Sequence, residues 1–313
     1  MTDASPRHPV FIVGMPRSGT TLLSHLLHAH SAFSMLPETH FFTRCWTPGR
    51  RRRPPAPDRL LECLLRQPGV QDLGLSDAET TAARRRLRAA AEPDAATVLR
   101  ALARTYTARS GAAAWGESTP DHLHHVPEIL RQFPGARVLA LVRDPRDVCR
   151  SLASVPWGPD TLPERAWAWR VAADRLRAHR AAHPDRVLCL RYEDLITAPA
   201  AALRSVCDAL NCAFEPAMLR FHEHDALPVN VEREPWKAGS VRPIDPSNRA
   251  RWRTGMPPAD CAIVDWIVGA RRDRFGYPPA PSPWSPRRMG AVLRRLGRAG
   301  GRILRRVGTR LWD

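Results

Sequence analysis

Near the start of the chain, Pro9-Val10-Phe11-Ile12-Val13-Gly14 forms a short apolar run that ends in glycine. A run without polar alternation suits a strand buried on both faces of a parallel sheet. From Gly19 to Ala29 the period changes. Leu22, Leu23, Leu26 and Leu27 recur at helical spacing and predict a helix with one apolar face. The same order of strand then helix returns twice. Residues 137–142 are apolar and lead into a helix over about 145–154, with Pro145 in the first turn, where its missing N–H is not needed. Residues 186–191 lead into a helix over about 199–210, and Ala114-Trp115-Gly116 is a weaker strand candidate. Alternation of this kind predicts an α/β layer fold with a parallel sheet.

Between residues 50 and 112 the pattern becomes helical, with helices predicted over 60–66 and 78–108 and a loop at 50–55. This stretch reads as a helical insertion over the sheet edge. Residues 223–250, rich in Pro, Gly and charge, predict a long loop, a common carrier of binding groups on a rigid scaffold. A last core helix is expected over 259–272. The prolines of 278–286 then form a linker, so the expected organisation is one domain over 1–280 and a linker with a basic tail over 281–313.

The chain has 313 residues, 43% hydrophobic and 25% charged, enough to bury a sizeable core and too apolar for a disordered protein. No apolar run is long enough to span a membrane, and the polar start does not read as a signal peptide, so the expected location is cytoplasmic. The seven cysteines form no CxxC pair and read as scattered buried thiols in a reducing compartment. No metal site is expected. The net charge is +17, and Lys237 is the single lysine among 48 basic residues. Such an arginine skew, with 31 prolines, follows as readily from genomic base composition as from function. Nine arginines and one aspartate fall within 284–313, so the charge is uneven and nucleic acid is not an expected partner.

The strongest local signal is Gly14-Met15-Pro16-Arg17-Ser18-Gly19-Thr20-Thr21, set between a strand and a helix. A glycine-bearing approach to a helix N-terminus offers free N–H groups and the positive dipole end to an anion. The glycine spacing matches GxxxxGK[ST], but Thr20 stands at the lysine position and the cation has moved to Arg17. That argues against nucleotide hydrolysis of the ordinary P-loop kind.

At these residues the chain resembles sulfotransferases that use 3′-phosphoadenosine 5′-phosphosulfate (PAPS), of a bacterial type. It is similar to tyrosylprotein sulfotransferases in the loop, around Glu38 and toward the C-terminus. The resemblance implies a P-loop-like three-layer fold with a central parallel sheet. It implies that Pro16, Arg17, Ser18, Gly19, Thr20 and Thr21 hold the 5′-phosphosulfate, and that Arg143 and Ser151, eight residues apart, bind the 3′-phosphate. It places Tyr192 near the adenine and Arg251 where a donor-contacting lysine is expected. Ser118 replaces a lysine seen before Thr-Pro in many members, which leaves open what cation serves instead.

The resemblance also implies a glutamate base 21 residues after the loop arginine, and Glu38 is 21 after Arg17. His40 is the rival base and otherwise a substrate contact. Phe41, Phe42 and Trp46 are candidate walls of the acceptor pocket. Of His122, His124 and His125, only His122 is expected to join the pocket; the others read as surface. The expected reaction is in-line sulfuryl transfer to a hydroxyl of a small-molecule, glycan or lipid acceptor, with Arg17 and Glu38 as catalytic groups. The competing readings are a P-loop kinase or NTPase, and a non-catalytic basic membrane-binding protein. Met289, Val292, Leu293, Leu296, Ile303, Leu304, Val307 and Leu311 recur at helical spacing among arginines, which predicts peripheral contact of the tail with an anionic membrane. Oligomeric state is not legible.

Overall fold

The computed structural model describes residues 8–46, 55–223 and 229–281. Its centre is a five-stranded, all-parallel sheet in the order β2-β3-β1-β4-β5, built from β1 (Val10–Gly14), β2 (Phe33–Leu36), β3 (Ala114–Ser118), β4 (Arg137–Val142) and β5 (Val187–Arg191). Alternate residues of β1 face different cores. Phe11 and Val13 join one apolar cluster, and Val10 and Ile12 join the other on the opposite face. Burying a side chain of this size is worth about 1.5–3 kcal/mol, which explains the continuous apolar run. β1 lies between β3 and β4, so the chain reverses its winding there. Ligands bind outside the carboxyl ends of strands at such a switch point.

Helices cover both faces. α1 (Thr20–His28) follows β1. The insertion contributes α2 (Pro57–Leu65), α3 (Pro68–Gln71), α4 (Asp77–Arg88) and α5 (Ala95–Thr107), with α5 against β2 and β3 at the sheet edge. The single helix expected over 78–108 is broken between Ala89 and Asp94. Pro93 removes a backbone donor, and Asp94 caps a new helix by accepting the Thr97 N–H at 2.8 Å. α6 (Val126–Gln132) precedes β4, and α7 (Pro145–Leu152) and α8 (Leu162–Ala182) follow it. α9 (Tyr192–Thr197) and α10 (Pro199–Leu210) follow β5, and α11 (Trp252–Gly255) and α12 (Pro258–Val268) close the described chain. The loop expected over 223–250 contains a 3-10 segment at Pro235–Val241 that lies against α1.

Two cysteines depart from the reading as free thiols. Cys45 and Cys63 form a disulfide with Cα atoms 5.5 Å apart, because α2 folds back onto the π-helical turn Phe41–Cys45 after β2. No sequence spacing announces that contact. Among the described residues, no helix is long and apolar enough to cross a membrane. The amphipathic pattern of the tail lies outside the described residues.

Candidate active site

The loop between β1 and α1 passes through a gap that admits only glycine at two points. A Cβ on Gly14 would lie 2.5 Å from the Leu141 carbonyl oxygen of β4. A Cβ on Gly19 would lie 2.4 Å from the Tyr192 ring, and the φ of 95° there is itself a glycine conformation. Arg17 has φ 72°, a left-handed conformation uncommon for a side-chain-bearing residue and often held at functional positions. Pro16, Arg17, Gly19, Thr20 and Thr21 line a cavity of about 1090 Å³, and the N-terminal end of α1 opens into it. That end presents unsatisfied N–H groups and positive potential.

Two arginines converge on the loop. Arg17 Nε donates to Ser151 Oγ at 3.0 Å and Nη2 to the Trp236 carbonyl at 2.9 Å. Burial first, and then the charge of Arg143, pull its pKa below the ordinary guanidinium value. Arg143 leaves the end of β4, stacks its guanidinium 4.3 Å above the Tyr192 ring, and donates to the carbonyls of Arg17 at 3.3 Å and Asn248 at 3.0 Å. Asn248 Nδ2 in turn donates to the Tyr192 hydroxyl at 2.8 Å. Arg143 Nε and Ser18 Oγ are buried without a hydrogen-bond partner. An unmet buried donor costs about 1–3 kcal/mol, so such groups beside two clustered cations fit the oxygens of an anion.

Across the cavity lies a second set. Glu38 Oε1 is 2.8 Å from Lys237 Nζ, and Glu38 Oε2 is 3.5 Å from His40 Nε2. Burial drives His40 down to about 4, as it does His125; His124 falls to about 3. These imidazoles are therefore neutral at pH 7. Asp121 also lines the cavity and is pushed up to about 6, by burial and then by the charge of Glu38.

The wall that carries Glu38 is clipped from beneath. Glu117, fully buried on β3, accepts from Thr39 N at 3.1 Å, Thr39 Oγ1 at 2.8 Å and the Thr119 hydroxyl, and from His122 Nδ1 at 2.9 Å. His122 Nε2 accepts the Phe42 N–H at 3.1 Å. His122 thus holds the wall from the core, while His124 and His125, expected at the surface, line the cavity. Phe41 and Phe42 are also core residues, fully buried beneath the wall; Thr43 and Arg44 supply its lining beside Glu38 and His40.

The structure therefore gathers Arg17, Thr20, Thr21, Arg143, Tyr192, Glu38 and His40 around one cavity, with Ser151 bonded to Arg17. Arg251 is exposed at the start of α11 and does not line it. Ser118 is buried, with Oγ 3.4 Å from the Thr20 carbonyl. Sequence reasoning assigned no site role to Lys237 or Asn248, which the 229–248 segment brings to the cavity with Trp236. Two signals were available: the 223–250 stretch reads as a loop able to carry binding groups, and Lys237 is the only lysine in an arginine-rich chain. Elsewhere, His30, Cys207 and Cys212 cluster with metal-like composition. His30 Nδ1 accepts the Ala32 N–H at 3.0 Å and Nε2 bonds the Ala213 carbonyl at 2.8 Å, so both ring nitrogens are already used.

Comparison with known proteins bears on the fold and the family. The chain is 22% identical over 290 residues to protein-tyrosine sulfotransferase 1 of Danio rerio, covering 88% of this chain and 73% of that protein. The sulfotransferase domain of the Synechococcus PCC 7002 olefin synthase superposes with a TM-score of 0.62 at 23% identity, covering 88% of this chain and 97% of that one. A sulfotransferase domain from the curacin biosynthetic pathway gives a TM-score of 0.61 at 21% identity, covering 86% and 98%. These two likenesses show the fold. A model of the sulfotransferase family matches residues 9–216, two thirds of the chain, and the chain belongs to the sulfotransferase family.

Proposed function

We propose that this sulfotransferase moves a sulfuryl group from PAPS to a hydroxyl of a small-molecule, glycan or lipid acceptor by in-line displacement. The observation that carries the reading is the convergence of Arg17 and Arg143, with the unpartnered Arg143 Nε and Ser18 Oγ, on the N-terminal end of α1. When bound, the donor supplies the sulfuryl group and leaves as 3′-phosphoadenosine 5′-phosphate (PAP). Arg143 and Ser151 hold the 3′-phosphate. The backbone and hydroxyls of Ser18, Thr20 and Thr21 hold the 5′ side, and Tyr192 walls the base. Arg17 offsets charge on the departing phosphate, where a preorganised donor acts most strongly. Glu38 accepts the hydroxyl proton as the acceptor oxygen bonds to sulfur and the sulfur–phosphate oxygen bond breaks, its electron pair leaving with the phosphate.

A ligand that binds only the folded state stabilises it by about 2.7 kcal/mol at a hundredfold excess over Kd. PAP should therefore raise the melting temperature, and AMP, which lacks the 3′-phosphate, should do so much less. Equal shifts would remove the 3′-phosphate site. Acceptors are then screened with PAPS for a mass gain of one sulfuryl group. The panel includes a tyrosine peptide, because one relative is a protein-tyrosine sulfotransferase.

A further inference from the structure

Lys237 is 11% exposed in its side chain, and its Nζ lies 2.8 Å from Glu38 Oε1 and 3.0 Å from Glu234 Oε1. The residue before it, Trp236, takes the Arg17 guanidinium on its carbonyl at 2.9 Å. One step of backbone thus joins the loop arginine to the counter-ion of Glu38. We propose that Lys237 is a positioning residue for sulfuryl transfer: its ammonium grips Glu38 by Oε1 and leaves Oε2 to receive the acceptor's proton. The inference rests on the reading of Glu38 as the base.

Glu38 lies between β2 and the turn at Phe41, outside any helix or strand, so backbone hydrogen bonding does not set its side-chain direction. The groups that face it are Lys237, His40, Arg17 and Asp121. His40 is neutral at pH 7 and 3.5 Å away, too far for a strong bond. Asp121 repels it. Arg17 is already engaged by Ser151 and Trp236. Among the described residues, Lys237 makes the short contact to this carboxylate. Burial opposes its charge, but Glu38 and Glu234 outweigh burial and raise its pKa, so the ammonium persists across neutral pH. Ser118 also lines the cavity, but its hydroxyl lies on the Thr20 carbonyl and supplies no charge.

The test compares the wild-type chain, Lys237→Met, Lys237→Arg, Glu38→Gln and the Lys237→Met/Glu38→Gln double variant, with whichever acceptor of the screen turns over. Lys237→Met should lower kcat by about 10–100-fold, the size of effect that misplacing a reacting group produces. Donor KM and PAP affinity by calorimetry should stay within about threefold. The acid limb of the rate profile should move to higher pH, and Lys237→Arg should recover part of the rate. In the Glu38→Gln background, Lys237→Met should change kcat by about twofold or less, because a residue acting through Glu38 has nothing left to position. An equal loss in both backgrounds overturns the proposal and puts Lys237 on the sulfuryl group itself. A lowered melting temperature with an unmoved acid limb overturns it in favour of a structural counter-ion. Lys237 is the only lysine, so amine acylation at its side chain, located by mass spectrometry, reads its protection without turnover. Glu38→Gln should raise that labelling, and unchanged labelling would show that the pair does not form. Loss of PAP binding in the wild type would instead count against the donor assignment, and the labelling result would still stand.

Discussion

Glu38 and His40 sit two residues apart on one wall, and burial separates their chemistry. His40 is held at φ 50° with its N–H on Thr119 Oγ1 at 3.2 Å, and burial lowers it to about 4, which makes it a weak proton acceptor. Glu38 is half-buried and paired to a cation. Glu38→Gln should therefore cost roughly 10²–10⁴-fold in kcat with PAP affinity unchanged, whereas His40→Asn should cost about tenfold or less. Near-wild-type turnover in Glu38→Gln with a dead His40→Asn would reverse the roles. The spacing from Arg17 made Glu38 legible in the sequence. What lies around it was not. Phe41 and Phe42 beside Glu38 look the same in sequence whether they face the cavity or the core, and a π-helical turn decides that they face the core. Lys237 is remote in sequence, and no local pattern connects it to Glu38.

At the scale of elements, β3 does more than complete the sheet. Through Glu117 it fixes the turn that carries Glu38, since one buried carboxylate gathers Thr39, Thr119 and His122. Burial alone would raise the pKa of Glu117, but His122 and the hydrogen bonds from Thr119 and Thr39 outweigh it and leave it below the usual 4.5. A depressed carboxylate contributes stability above its unfolded pKa and loses it as pH falls through the folded value. Glu117→Gln should flatten the acid side of the stability curve below about pH 4.5 and, by removing the shared acceptor of a buried hydrogen-bond network, cost roughly 1–3 kcal/mol at pH 7. Denaturant melts from pH 3 to 7 would show it, and an unchanged acid slope would rule the role out. β1 and β4 were legible because burial on both faces makes their residues almost uniformly apolar, whereas β3 was the weaker reading because it carries Glu117 and Ser118. β2, with four residues, is too short to show a period. The helix expected over 78–108 reads as continuous because Pro93 is followed by good helix formers, yet the chain restarts there on the Asp94 cap.

For the molecule as a whole, the site joins segments from Gly14 to Asn248, so donor binding should register in global unfolding. The surface poses a separate question. Residues 282–313 carry nine arginines and one aspartate, about half of the net +17, with apolar residues at helical spacing between them. A basic residue near an anionic bilayer contributes on the order of 1 kcal/mol, and the attraction fades beyond a Debye length of about 10 Å at 0.1 M salt. A cluster of eight net positive charges is the basis for expecting adsorption through this segment. A chain ending at residue 281 should bind PAP as tightly as the full chain. It should also lose at least about tenfold of its partitioning onto vesicles containing phosphatidylserine, a change of about 1.4 kcal/mol. The full chain's binding should weaken between 50 and 500 mM salt, whereas vesicles of phosphatidylcholine alone should retain little of either protein. Equal sedimentation of the two chains with anionic vesicles would show that the arginine-rich body carries the contact. In that case nothing in the tail would favour a lipid-linked acceptor over a soluble one.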